Sequence, residues 1–284
     1  MKRYKMAALA AGFIFCFTNF VLAEEPSLEV SVQSRAIFES DVEAQTDGIA
    51  VNETELEVMD KLKAFGELPI ELSFKYGHTD INNDTPTFLP SHLEALNFGL
   101  GTKFPAFFIN DDHYFMGVDI YPTLNTDDAA WASSAFRVPF RAYLIYKKSD
   151  DFILVGGIKI RPDYDSVVLP VLGLIYKPND RLSLNLASDH PNIAYKLDDK
   201  TTLLWEFNYA LEEYEVTRNG QKGVVLKYRD FSTGAGLEHA FTPHIKAAVN
   251  VGGVFSRRIE YRDDVGKVEP DAGLYAGGRL TANF

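Results

Sequence analysis

Apolar side chains occupy every second position in blocks of about ten residues, separated by turn signals, along nearly the whole chain. No stretch after residue 23 offers 18 apolar residues in a row. These two facts exclude spanning helices and leave half-apolar β-strands. Leu203, Trp205, Phe207, Tyr209 and Leu211 share one face, and Glu206, Asn208, Ala210 and Glu212 share the other. The same period organises Leu68, Ile70, Leu72, Phe74 and Tyr76 against Glu71, Ser73 and Lys75. Phe136, Val138, Phe140, Ala142, Leu144 and Tyr146 likewise alternate with Arg137, Arg141 and Tyr143. Leu182, Leu184 and Leu186, and further on Ile245, Ala247, Val249 and Val251, repeat it. A soluble antiparallel sandwich also alternates, so the period fixes the strands and not the medium around them.

The spacing of strands and turns points to a membrane. Strands are expected near 28–38, 52–62, 68–77, 92–104, 113–123, 134–147, 151–161, 168–177, 181–188, 191–197, 201–216, 223–241, 244–261 and 268–284. Short links alternate with longer or more polar ones, at roughly 39–50, 78–91, 124–134, 217–222 and 262–268, which is the asymmetry of a transmembrane barrel. Aromatic residues recur near strand ends, at Tyr76, Phe104, Tyr114, Tyr146, Tyr176, Tyr214 and Phe284, where an interfacial girdle would stand. The expectation is an all-β fold: a single antiparallel transmembrane β-barrel of about 14 strands. Twelve is the alternative, because Asp60 interrupts the apolar face of the second strand and the pair around Pro191 is short. An even count puts both termini and every short turn on one side.

The N-terminus reads as a cleaved secretory signal over 1–23, with the barrel occupying 24–284. Lys2, Arg3 and Lys5 precede residues 6–22, which carry no charge, and Val21-Leu22-Ala23 forms a cleavage site ahead of Glu24-Glu25-Pro26. A lone membrane anchor is the other reading of this segment. Cys16, the single cysteine, lies inside the signal behind a bulky Phe15, so the exported chain has no disulfide and no cysteine metal site. Losing the three basic residues leaves the chain more acidic still than its formal charge of −12, which argues against nucleic acid as a partner.

The last strand carries a recognisable pattern. Leu274, Ala276, Gly278, Leu280, Ala282 and Phe284 alternate with Tyr275, Arg279, Thr281 and Asn283, and the chain stops on the Phe. This resembles the terminal motif of Gram-negative outer-membrane proteins, with Leu280, Ala282 and Phe284 at its key positions. The resemblance implies export to the outer membrane and recognition by the barrel-assembly machinery. Ala282 departs from it, standing where an aromatic is common. The stretch Leu169-Pro170-Val171-Leu172-Gly173-Leu174-Ile175-Tyr176-Lys177-Pro178-Asn179-Asp180-Arg181-Leu182, with Pro191 and Tyr195, is similar to a porin-like outer-membrane barrel family of unknown function.

With the apolar faces outward, the opposite faces line a lumen. Arg137, Arg141, Lys159 and Arg161 fall on one arc of it, with Lys103 and Arg181. Glu206 and Glu212 fall on another, with Glu29, Glu57, Glu71 and Glu238. Arg137, Arg141, Lys159, Arg161, Glu206 and Glu212 are expected to line the narrow part and to set a transverse field across a passive pore for small polar solutes or ions. The alternative is a salt-bridged plug in a closed structural or interaction barrel whose outer loops matter. An enzyme acting on lipid is a third possibility. Its only local candidate is Ser188-Asp189-His190, which also reads as turn chemistry ahead of Pro191. His78, His92, His113, His239 and His244 lack ligand spacing. The oxygen-rich run from Asp80 to Asp84 lacks the glycine and the distal Glu of a calcium loop. Neither cofactor nor metal is expected. Glu39, Asp41, Glu43 and Asp47 make an acidic first outer loop, suited to solubility or to cation bridges to lipopolysaccharide. Outer-membrane lipid is the expected surrounding partner.

Overall fold

A computed structural model describes residues 28–42, 48–64, 68–83, 89–109, 112–127, 135–187, 190–218, 220–262 and 266–284. The residues of the expected signal, Ser188, Asp189 and parts of several links lie outside them. The strands in chain order are β1 (Leu28–Ser40), β2 (Ile49–Ala64), β3 (Leu68–Asn83), β4 (His92–Ile109), β5 (Asp112–Ile120, then Thr123–Thr126), β6 (Phe136–Arg137, then Phe140–Ser149) and β7 (Phe152–Ile160). They continue with β8 (Val168–Tyr176), β9 (Leu182–Asn185), β10 (Asn192–Lys196), β11 (Thr201–Arg218), β12 (Gln221–Ala240), β13 (Ile245–Tyr261) and β14 (Lys267–Val268, then Gly273–Asn283). Each is antiparallel to the next, and β14 returns to β1 through a register running from Glu29↔Asn283 to Ile37↔Tyr275. Fourteen strands therefore close one barrel, and closure leaves no outer edge at the seam. Phe284 completes it: its N–H donates to the Leu28 carbonyl (2.8 Å) and its own carbonyl accepts from the Leu28 N–H (3.3 Å).

The outer surface is apolar at every second residue. Val249 and Val251 on β13, Leu274 and Leu280 on β14, and Leu203, Trp205 and Tyr209 on β11 all stand exposed. Stripes of this kind facing water would be costly, and facing hydrocarbon they are the normal exterior of a membrane barrel. Part of the girdle is present along one rim, where the Tyr114 ring lies 4.5 Å from Phe107 and 5.1 Å from Tyr146, and Phe152 meets Tyr176 edge-on at 6.0 Å. Tyr214 is a correction to that girdle. It projects inward and is buried, because inner-facing residues of β11 follow the parity of Glu206 and Glu212.

The two ends of the lumen differ. Followed outward, each inner face of β1–β4 and β11–β14 changes from polar to apolar. Gln33 and Arg35 give way to Ile37; Glu57, Glu55 and Glu53 to Val51 and Ile49; Ser232 and Asp230 to Tyr228 and Leu226. These apolar ends, together with Val216, Val254, Ile259, Tyr261 and Val268, meet in one cluster, where Ile49, Leu226 and Ile259 have no exposed surface. The outer end of the barrel is thus filled by a core like that between two packed sheets. The expected outer link at 217–222 is polar and short. Arg218 is the ladder partner of Gln221, with Gly220 at a φ of 79° making the tight link. The expected loop at 78–91 is likewise shortened, with Asp80, Ile81 and Asn82 paired to Asn52, Val51 and Ala50.

Wall height is also uneven. β11 and β12 run for 18 and 20 residues, whereas β9 and β10 have four and five. Above the short pair a crosspiece joins the far strands. Thr126 of β5 bridges Glu215 of β11, and the Glu213 carbonyl accepts from Asn125 (3.2 Å) and Arg137 (3.1 Å). The turn after β7 joins it: the Asp165 N–H donates to Glu213 Oε1 (2.8 Å), and Arg262 pairs with the other Glu213 oxygen.

Candidate functional site: the lumen

Below the apolar core lies a cavity of about 440 Å³. Arg141, Lys159 and Arg161 reach it from β6, β7 and the residue after β7; Glu206 and Glu212 reach it from β11. Five of the six expected lining residues are therefore brought to one space. Arg137 is the exception. β6 is interrupted between Arg137 and Phe140, and its first segment pairs with Thr123 and Leu124 in the continuation of β5. There Arg137 is buried in the crosspiece, its guanidinium 4.6 Å from the Tyr164 ring. Arg181 is also displaced, to an exposed turn where its N–H donates to Asn179 Oδ1. Lys103 sits near Glu71 (3.7 Å) at the other rim.

The wall charges come mostly as pairs, through residues that alternation alone does not single out. Arg141 grips Asp119 through Nε and Nη2, both at 2.7 Å from Oδ2, and Asp119 also accepts from Tyr121 (3.1 Å) and Tyr143 (3.3 Å). Arg141 lies over both tyrosine rings as well, and Lys159 lies over Tyr121. Opposite, Glu206 accepts from Arg279 (2.9 Å) and Asn250 (2.7 Å), and Glu55 from Lys75 (2.6 Å) and Gln33 (3.0 Å). Each side of the wall carries counter-ions of its own. A transverse field is accordingly smaller than the bare residue types suggest.

A second network floors the apolar core. Arg35 donates to Glu53 (2.7 Å), Asp230 (2.9 Å) and Ser232 (2.7 Å), and the Tyr228 hydroxyl donates within reach of Glu53 (3.1 Å) and Asp230 (3.2 Å). The Asp230 side chain has no exposed surface. Arg257 is buried beside this layer, with none of its three guanidinium nitrogens hydrogen-bonded among the described residues. It sits in the bulge where the β12–β13 register shifts between Arg229 and Phe231, which turns it inward. Gly234 and Gly252 face one another under Tyr275, and a Cβ on Gly252 would fall 2.2 Å from the Thr233 carbonyl oxygen. Glycine is there for close approach, in agreement with a strand role and not a phosphate loop.

Of the Ser188-Asp189-His190 cluster only His190 is described. It enters the lumen, with a ligand nitrogen and one oxygen each of Glu55 and Glu57 all within 4.8 Å of one another. Those three could hold a cation, and Lys75 already supplies a positive charge to Glu55.

Two titrating groups of the crosspiece lie outside the strands, Tyr164 and Asp165. Burial, with Glu212 adding to it, pushes the Tyr164 hydroxyl up to about 12. The hydrogen bond from Lys227 (2.8 Å) holds the Asp165 carboxyl below its ordinary range, helped by the charges of Lys227, Arg262 and Arg229. A depressed carboxyl pKa strengthens the folded contact above the unfolded value of about 3.9, and that contribution disappears as pH falls through the lower folded value. Hydrogen exchange at the Asp165 amide should therefore stay slow from neutral pH down to about 4 and show its opening step only below that. Asp165→Asn should abolish the step. A step near neutral pH would contradict the assignment.

A closed antiparallel barrel with an apolar exterior and a charged internal cavity defines the class: a transmembrane β-barrel. The family described as Domain of unknown function (DUF6268) matches residues 55–267. The chain belongs to that family. No curated protein matches it. Among solved structures it is similar to an outer membrane channel from Pseudomonas putida F1 at 13% identity, covering 92% of this chain and 97% of that one, with a TM-score of 0.49. A Pseudomonas aeruginosa FadL homologue matches at 13% identity over 92% and 91%, with a TM-score of 0.43. KdgM porin matches at 10% identity over 89% and 99%, with a TM-score of 0.35. Likenesses this distant say nothing about cargo.

Proposed function

We propose that the chain is a passive outer-membrane channel for small solutes, with the lumen cavity as its pathway. The carrying observation is the cavity itself. About 440 Å³ of space, walled by charged and polar side chains from both arcs, lies inside a barrel whose exterior is apolar. That volume falls in the range of small-molecule sites, and a barrel of fourteen strands lies between those filled by their own side chains and those holding a wide aqueous channel. The secretory pattern at the N-terminus and the terminal Leu280, Ala282 and Phe284 support export and assembly in the outer membrane. Proteoliposomes containing the refolded chain 24–284 should swell in an isosmotic pentose solution faster than protein-free vesicles. Swelling at the protein-free rate, with the barrel shown to be folded, would contradict the proposal.

A further inference from the structure

The apolar core closes the outer end of the lumen, so a solute in the cavity needs another outlet, and the uneven wall supplies one. We infer that the cavity opens sideways, through a window between β8 and β11, into the outer leaflet of the membrane. The inference rests on the channel reading above and adds to it the outlet and the class of cargo.

Strand length is the first observation. A tilted strand needs about 9–11 residues to cross the hydrocarbon region, and the β9–β10 hairpin has four and five. The ladder between β8 and β9 registers only Ile175 with Asn185 and Tyr176 with Leu184, extended by the Leu186 N–H to the Leu174 carbonyl (2.7 Å). The β10–β11 ladder stops at Asn192↔Glu206, extended by the Phe207 N–H to the Pro191 carbonyl (2.9 Å). Above these points, and above the contact of Ala187 with Gly173, the two flanking strands have no neighbour on that side among the described residues, and the crosspiece at Glu213 and Glu215 bounds the gap from above. At its base the gap spans three strand spacings, roughly 14 Å, and it runs roughly 20 Å along β11 from Phe207 to Glu213. The hairpin meanwhile brings His190 into the lumen, beside Glu55 and Glu57 on the opposite wall.

Backbone chemistry is the second observation. Because Phe207 bonds towards β10, the peptide groups of Tyr209 and Leu211 point the same way, and among the described residues neither has a strand partner there. Unpaired peptide groups facing hydrocarbon are costly, and they are tolerated at membrane depth where they line a water-filled or ligand-filled space. On the other flank the Leu174 parity puts the backbone of Pro170 on the open edge, and proline has no N–H to leave unpaired.

The flanks also define the cargo. Lys159 lines the cavity and is the ladder partner of Leu169, so Leu169 and Val171 face inward while Val168, Pro170 and Leu172 face outward. β8 is therefore apolar on both faces beside the window. Leu172 is 79% exposed and Tyr209 66%. An outlet apolar at its flanks, leading from a charged cavity, suits a small amphipathic molecule that partitions into the outer leaflet.

The test uses the refolded chain 24–284, which has no cysteine of its own, in vesicles. Single variants Val171→Cys on the inner face of β8, Asn97→Cys on the inner face of the fully laddered β4, and Leu172→Cys on the lipid face carry a thiol-linked bimane. A single-chain nitroxide amphiphile dissolved in the bilayer is the quencher. With a window, the Val171 label is quenched at least about three times as strongly as the Asn97 label and approaches the Leu172 label. Equal, weak quenching at Val171 and Asn97, with strong quenching at Leu172, overturns the window. Pentose swelling of the same vesicles is measured in parallel. Loss of swelling with Val171 still quenched would sink the channel reading and keep the window; swelling without quenching would do the reverse.

Discussion

Arg35→Ala should destabilise the barrel by about 3–5 kcal/mol, more than any other single change to a lumen side chain. Arg35 is the only cation bonded to Asp230 among the described residues, and it also holds Glu53 and Ser232. Truncating it leaves a carboxylate with no exposed surface facing Glu53 across the Tyr228 hydroxyl. The larger part of the cost is the stranded charge and not the lost bonds. Adding Asp230→Asn to the variant should therefore recover a good part of the loss. Urea unfolding from vesicles, followed by intrinsic fluorescence, measures both. An Arg35→Ala barrel within about 1 kcal/mol of the parent would mean that the network is wet and contributes no more than a surface ion pair.

The double variant Leu226→Ala/Ile259→Ala should have the largest effect on passage. Both side chains lie fully inside the core that closes the outer end, on the neighbouring strands β12 and β13. Each truncation should cost about 2–5 kcal/mol in stability, because close packing around the site relaxes only in part. It should also open an axial route past Tyr228 and Tyr261, so the surviving folded barrels conduct ions more strongly than the parent. Stability loss without a conductance gain would show that the core is not what stops axial flow.

The barrel was largely legible in the sequence because each strand's exterior repeats one simple rule, apolar residues at every second position, and closure pairs each strand with its neighbour in order. The short pair around Pro191 is legible too, as one of two weak points of the strand count, although its meaning for the wall is not. The inner faces were read only by sign of charge. Their change from Glu57, Glu55 and Glu53 to Val51 and Ile49, and from Asp230 to Leu226, was visible in the same alternation and announces a packed outer end. Arg137 keeps the inward parity of Arg141, with Phe136 and Val138 exposed on either side of it, and what spacing could not assign is its contact with the Glu213 carbonyl, which draws it into the crosspiece. The counter-ions Arg35, Lys75, Asp119 and Arg279 could not be assigned from spacing. Arg35 and Asp230 meet across 195 positions of chain, and Glu206 and Arg279 across 73. Such pairs follow from ring closure and register, not from local sequence.

The most direct measurement is planar-bilayer conductance of the refolded chain 24–284, with reversal potentials under a salt gradient for the parent, Arg141→Ala and Glu206→Ala. Arg141→Ala leaves Asp119 without its guanidinium, and Glu206→Ala leaves Arg279 without its carboxylate. Small unitary steps are expected in the parent, carried through a water-filled lateral window because the axial end is closed, with selectivity moving towards cations in the first variant and towards anions in the second. A demonstrably folded protein that gives no steps would contradict a conducting lumen, and steps whose selectivity is the same in all three would contradict the assignment of these charges to its wall.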